Sequence, residues 1–355
     1  MPPWTVSRDG QFLLVAQNDA HKLRFVRADP MYVTWDLPLD AGQLGAVAWL
    51  ARRRGLALEE ISGERQRLLV IDLPSQKILA RRSLPGAVAH LERTRRELVL
   101  LLAPPHAIGR ARLAVVDRDG RIRFARIDRV LAGSKLLGTG SNHRVDSRTP
   151  GLAVDPDGRR AFVVGQDVVA EVDLQTLSVS YRALRGHQSL LGRLWNWLEP
   201  AAQAKRASGY DRRTEWIDGG LIAVSGSDST ATSEYDAAGL ALLDTRTWDT
   251  RTLDADATWF EVAGDLLIAM GGGEGSSDSR DSVGVAGYEL DGTKRFQLLE
   301  GKVAWIALVL DGRAYVGSAG SNALRIVDLA TGHFVGSRSE PLPWLLLGTG
   351  GGWWD

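Results

Sequence analysis

The chain has 355 residues, 44% hydrophobic and 24% charged, which is the balance of a folded protein with ample material for a core. Its 43 basic residues meet 43 acidic ones, so it has none of the basic excess that phosphate contacts demand of a nucleic-acid binder. The absence of cysteine excludes disulfides, thiolate zinc sites and cysteine nucleophiles, and no run approaches the roughly 18 apolar residues of a membrane helix.

Residues 1–10 hold no charged region followed by an apolar one, and they lead almost directly into a first repeat. The protein is expected either in the cytoplasm or, the preferred reading, outside it after removal of a leader. Short apolar runs then recur along the chain, at 12–16, 23–27, 68–71, 98–102, 113–116, 161–164, 168–172, 240–243, 266–270, 314–316 and 324–327. They are too short for helices and rich in Val, Ile and Leu, so they predict strands. An aspartate closes the third strand of each unit: Asp29, Asp72, Asp117, Asp173, Asp244, Asp291 and Asp328. They are spaced at 43, 45, 56, 71, 47 and 37 residues; periods near 40 to 50 are those of propeller blades, and the two long intervals contain insertions. A second marker, Asp-Gly or Asp-Pro-Asp-Gly, precedes second strands at 9–10, 155–158, 218–219 and 311–312. Both markers are local turn chemistry. The carboxylate accepts from backbone N–H groups just downstream, and glycine supplies a positive φ. These aspartates are therefore expected to be structural, not catalytic.

The clearest units are 151–184, GLAVDPDGRRAFVVGQDVVAEVDLQTLSVSYRAL, and 302–336, KVAWIALVLDGRAYVGSAGSNALRIVDLATGHFVG. They resemble the YVTN/WD40-like β-propeller repeat family, in which an inner strand, a Pro-Asp-Gly-type turn, a second strand, a third strand ending in Asp and an outer strand form one blade. The resemblance implies an all-β propeller of seven blades of four antiparallel strands, with boundaries near 3–40, 41–86, 87–133, 134–185, 186–256, 257–301 and 302–340. Residues 1–340 form one propeller domain in this reading, and 341–355 form a closing segment or tail. Three units depart from the pattern at their first turn: Ala51-Arg52-Arg53-Arg54-Gly55, Arg93-Thr94-Arg95-Arg96 and Ala263-Gly264-Asp265. The arginines there are read as solvated turn residues.

The strand order sends the long segments 130–149, 185–213, 225–238 and 271–283 to one face, where a rigid scaffold usually carries its binding loops. Residues 187–207 predict a short helical insertion, with Leu190, Leu191, Leu194, Trp195 and Leu198 at helical spacing and Ser189 as cap.

Four groups could carry chemistry. Asn142, His143, Arg144, Asp146 and Arg148 enter the fourth inner strand and are the ligand-binding candidates. Asp228, Glu234 and Asp236 in one acidic loop, and Glu274, Asp278 and Asp281 in another, are metal candidates, although the D-x-D-x-D-G spacing is absent. The fourth group is the histidines, none at paired metal spacing, of which His90 on a predicted inner strand could face the channel. No cofactor is expected; if an oxygen-rich loop holds an ion, Ca²⁺ suits it.

No dinucleotide, P-loop or G-x-S-x-G pattern is present. The leading expectation is a non-enzymatic propeller scaffold that binds a protein, peptide or small ligand on the long-loop face, as a monomer, without nucleic-acid partners. The alternative is a propeller-type lactonase or hydrolase using polar residues or a divalent metal at the central channel.

Overall fold

A computed structural model of the chain describes residues 4–6, 12–17, 21–27, 32–38, 43–51, 54–62, 65–94, 97–137, 144–184, 209–229, 235–271, 283–321 and 323–338. Antiparallel strands dominate, arranged as a β-propeller. Five four-stranded sheets stand apart as blades, spanning 4–38, 43–83, 151–183, 259–298 and 304–338. The intervening strands join in one ten-stranded sheet. This corrects the expectation of seven four-stranded blades to five. The strand Arg144–Thr149 is the cause: it pairs antiparallel with 133–137 of Ile122–Leu137 and parallel with Tyr210 and Asp211 of Gly209–Ile217. Among the described residues there is no α-helix, only the 3₁₀ turn Asp218–Gly220. The helical insertion expected over 187–207 lies outside the described residues, as does the tail 341–355.

The core is divided among the gaps between successive sheets. Leu14, Leu23 and Phe25 pack with Trp49, Leu69 and Ile71; Val99, Leu101 and Leu113 pack with Leu152, Val163 and Val172; Phe260 and Leu267 pack with Ala223 and Leu242. A middle strand is therefore covered on both faces and reads as an unbroken apolar run, as in Leu98–Ala103, where every residue is buried. An outer strand is not, and His333–Arg338 is exposed along its whole length. Burying each such Leu or Ile contributes about 1.5–3 kcal/mol.

The aspartate turns behave as local chemistry requires. Asp117 Oδ1 accepts from the N–H groups of Asp119 and Arg121 at 2.8 and 2.9 Å, and Asp173 Oδ1 from those of Gln175 and Thr176 at 3.0 and 2.7 Å. Asp244 accepts from Arg246, Asp291 from Thr293 and Asp328 from Thr331 in the same way. These bonds favour the ionised form and hold the Asp173, Asp244, Asp291 and Asp328 carboxyls below their ordinary value.

A second device, unread in the sequence, ties one sheet to the next through these turns. Arg123 donates to the Leu174 and Gln175 carbonyls at 3.0 and 2.9 Å, Arg251 to Asp291 O and Leu290 O, and Arg295 to Ala330 O at 3.1 Å. Each is the second residue of its outer strand. Arg54 does likewise from a second strand, donating to Arg118 O and Asp119 Oδ1 at 2.6 and 2.7 Å. Arg54 is thus an inter-sheet latch and not a solvated turn residue, because a carbonyl and a carboxylate oxygen of one turn of the next sheet lie within its reach.

Candidate functional site

The strand Arg144–Thr149 enters the molecule beside Gly209–Ile217, with Arg148 opposite Tyr210. Alternation turns Val145 and Ser147 outward and Asp146 inward, leaving Asp146 9% exposed. The Asp146 Oδ1 atom and the Arg148 Nε atom are both buried without a hydrogen-bond partner among the described residues. Next to them Tyr210 donates to Leu131 O at 2.5 Å, and burial pushes its hydroxyl up to about 12. Arg212, 3% exposed, donates to Asp211 O and Ser227 O at 3.0 and 2.9 Å, and its Nη2 reaches Asp228 Oδ1 at 2.7 Å. Gly226 faces Arg212 across the ladder at φ +151°, where an added Cβ would run into the Asp211 carbonyl. Only glycine lets the two strands close at this point.

Deeper in, inner strands bring charge together from separate parts of the fold. Ala87–Arg93 supplies His90 and Glu92, Gly209–Ile217 supplies Arg213 and Glu215, and Trp259–Ala263 supplies Glu261. Gly151–Val154 packs against both of the first two strands, so the electrostatic coupling of Glu92 to Glu215 and of His90 to Arg213 runs across the channel. Arg213 contacts Glu261 Oε1 at 3.2 Å and Glu215 Oε2 at 4.0 Å and lies 4.3 Å from the centre of the Trp259 ring. Trp259 Nε1 donates to the same Glu261 oxygen at 3.2 Å.

One guanidinium cannot balance three carboxyls in a desolvated place. Burial first, then the charge of Glu215, lifts Glu92 to about 8, against the opposing pull of Arg213. Burial also raises Glu215, and it lowers His90 to about 4 with Arg213 adding to the effect. At neutral pH the site therefore holds a protonated Glu92 and a neutral imidazole.

Six buried side-chain polar atoms lack a partner among the described residues, and four of them lie on the paired strands Arg144–Thr149 and Gly209–Ile217: Asp146 Oδ1, Arg148 Nε, Arg213 Nε and Thr214 Oγ1; a fifth, His90 Nε2, is on Ala87–Arg93. Leaving such a group unsatisfied costs about 1–3 kcal/mol, so water or a ligand is expected to meet these atoms.

Of the residues singled out in the sequence, Asp146 and Arg148 meet at this site, and His90 faces the channel cluster. The backbone of Arg144 is in the same strand, while Asn142 and His143 lie outside the described residues. Asp228 is held by Arg212, and Asp236 stands opposite it in register, exposed. Glu234, Glu274, Asp278 and Asp281 lie outside the described residues. Among the described residues no group of three or more His, Asp or Glu is placed to hold a metal ion. Glu92, Arg213, Glu215 and Glu261 were missed. Their signal was the pattern His-x-Glu and Arg-x-Glu inside strands that otherwise bury apolar residues.

No family model matches the chain, and no curated protein matches it. Solved structures do. Dihydro-heme d1 dehydrogenase NirN, in complex with DHE, superposes with a TM-score of 0.57 at 13% identity over 94% of this chain and 65% of that one. Apo AztD from Citrobacter koseri superposes with a TM-score of 0.52 at 11% identity over 95% of this chain and 86% of that one. The chain is built as a β-propeller. At these identities the likeness extends to the fold alone, and the chain spans about 65% of the length of NirN. No helix among the described residues is long and apolar enough to cross a membrane.

Proposed function

We propose that the chain is a non-catalytic binding propeller whose polar inner strands take a small ligand carrying both an amine and a carboxylate, such as a basic amino acid or a short basic peptide. The carrying observation is the pair of buried atoms without a partner among the described residues, Asp146 Oδ1 and Arg148 Nε, on the strand that lies beside Gly209–Ile217. Asp146 Oδ1 is a free acceptor for an ammonium, and the Arg148 Nε–H two residues on is a free donor for a carboxylate. Glu215 and Glu261 outnumber their cation Arg213, and Glu92 can lose its proton beside a second positive group on the ligand, so that group is compensated there. The ligand enters from the face expected to carry the long loops.

Titration calorimetry with L-arginine, L-lysine and L-glutamate tests this. The two basic amino acids are expected to bind and L-glutamate to bind at least about tenfold more weakly. Asp146→Asn, which cannot pair with an ammonium as an ion, is expected to remove most of the affinity. Equal binding of all three, or no binding of any, would sink the proposal.

A hydrolase reading rests on a different observation. The neutral His90 and the protonated Glu92, two residues apart on one strand, supply a base and an acid. Turnover of a simple aryl lactone that is lost in His90→Gln would move that reading ahead.

A further inference from the structure

A second surface lies away from the channel, on the outer part of the sheet that begins at 87. There a cavity of about 250 Å³ is bounded by Pro85, Pro104 and Pro105 and by Arg110, Arg112 and Arg126. Arg112 and Arg126 are register partners on neighbouring strands, so two like charges stand directly opposite each other. Such a pairing destabilises a sheet. Asp128 relieves it only in part: it lies 3.3 Å from Arg110 and 3.6 Å from Arg126, while Arg112 has no ion pair among the described residues. The stretch of sequence that contributes its arginines is basic as well. Residues 50–130 hold 18 Lys and Arg against 9 Asp and Glu, an excess of 9 in a chain that is neutral overall.

We infer that this groove is a docking site for an acidic segment of a partner protein. The walls of the cavity between the guanidiniums are proline, leucine and alanine side chains. That suits an extended peptide, which lays its backbone on the apolar wall and pairs a Glu or Asp with Arg112 and Arg126. A nucleic acid would need a longer track of free cations, and here Arg110 and Arg126 share one carboxylate.

The test uses the full chain and a fluorescein-labelled hexaglutamate peptide, with hexalysine and an oligothymidylate as comparisons. Hexaglutamate is expected to bind in a salt-sensitive way, and Arg112→Gln/Arg126→Gln to weaken it at least about tenfold. Asp128→Asn, which frees both partners of that carboxylate, is expected to tighten binding and gives a reading independent of the double variant. Unchanged affinity in either variant, or tighter binding of the oligothymidylate than of the peptide, overturns the inference.

Discussion

Glu92→Gln is expected to raise the stability of the protein in mildly alkaline solution by several kcal/mol and to flatten its dependence on pH. The native Glu92 carboxyl is lifted from its ordinary 4.5 to about 8. Between those values the folded chain keeps a proton that the unfolded chain has lost. Its stability contribution is therefore full at low pH and falls as the pH rises through that window. At about 1.4 kcal/mol per unit the total loss is at most about 5 kcal/mol, and water in the channel lowers it. His90 acts in the opposite sense. Its folded value of about 4 lies below its ordinary 6.5, so stability is lost as the pH falls from 6.5 towards 4. The two opposite slopes cancel between about pH 4.5 and 6.5, which leaves a plateau there and a decline from 6.5 up to about pH 8 that glutamine abolishes. Urea denaturation across this range measures it. A wild-type profile flat above pH 6.5 would contradict the picture of a buried, under-compensated carboxyl.

Arg212→Met is expected to cost about 3–5 kcal/mol, because two backbone carbonyls each lose a charged donor worth about 1.5–3 kcal/mol. Methionine keeps much of the volume. It cannot donate to the Asp211 carbonyl of its own strand, nor to the Ser227 carbonyl and Asp228 carboxylate of Leu221–Ser229, contacts that add to the backbone ladder between the two strands. Asp228→Asn retains a hydrogen-bond acceptor on a partly exposed side chain and is expected to cost only about 1 kcal/mol. If the two substitutions cost the same, the ion pair rather than the carbonyl contacts holds the strands together.

The parts of the fold legible in the sequence were those whose physics is local. The aspartate turns close within a few residues, as at Asp173 and Thr176, so the repeat and the propeller could be read directly. The fusion of sheets could not. It depends on Arg148 and Thr149 meeting Tyr210 and Asp211, some sixty residues on, and nothing in either strand names its partner. The inter-sheet latches were visible as arginines but not as latches, because Arg123 and Arg251 find their carbonyls only across a gap between sheets. For the site, Asp146 and Arg148 stood out as charges entering an inner strand. The channel cluster did not, since Glu92, Arg213 and Glu261 belong to strands that converge only in the folded ring.

The account turns on under-compensated carboxyls at the inner strands receiving a cationic ligand, and proton-linked calorimetry tests it most directly. L-arginine is titrated near pH 7 in buffers of different ionisation enthalpy. The bound cation should favour the ionised form of Glu92, so binding is expected to release a measurable fraction of one proton in the wild type and none in Glu92→Gln. Binding with no proton release, or with the same release in both proteins, would place the ligand elsewhere and contradict the assignment of the site.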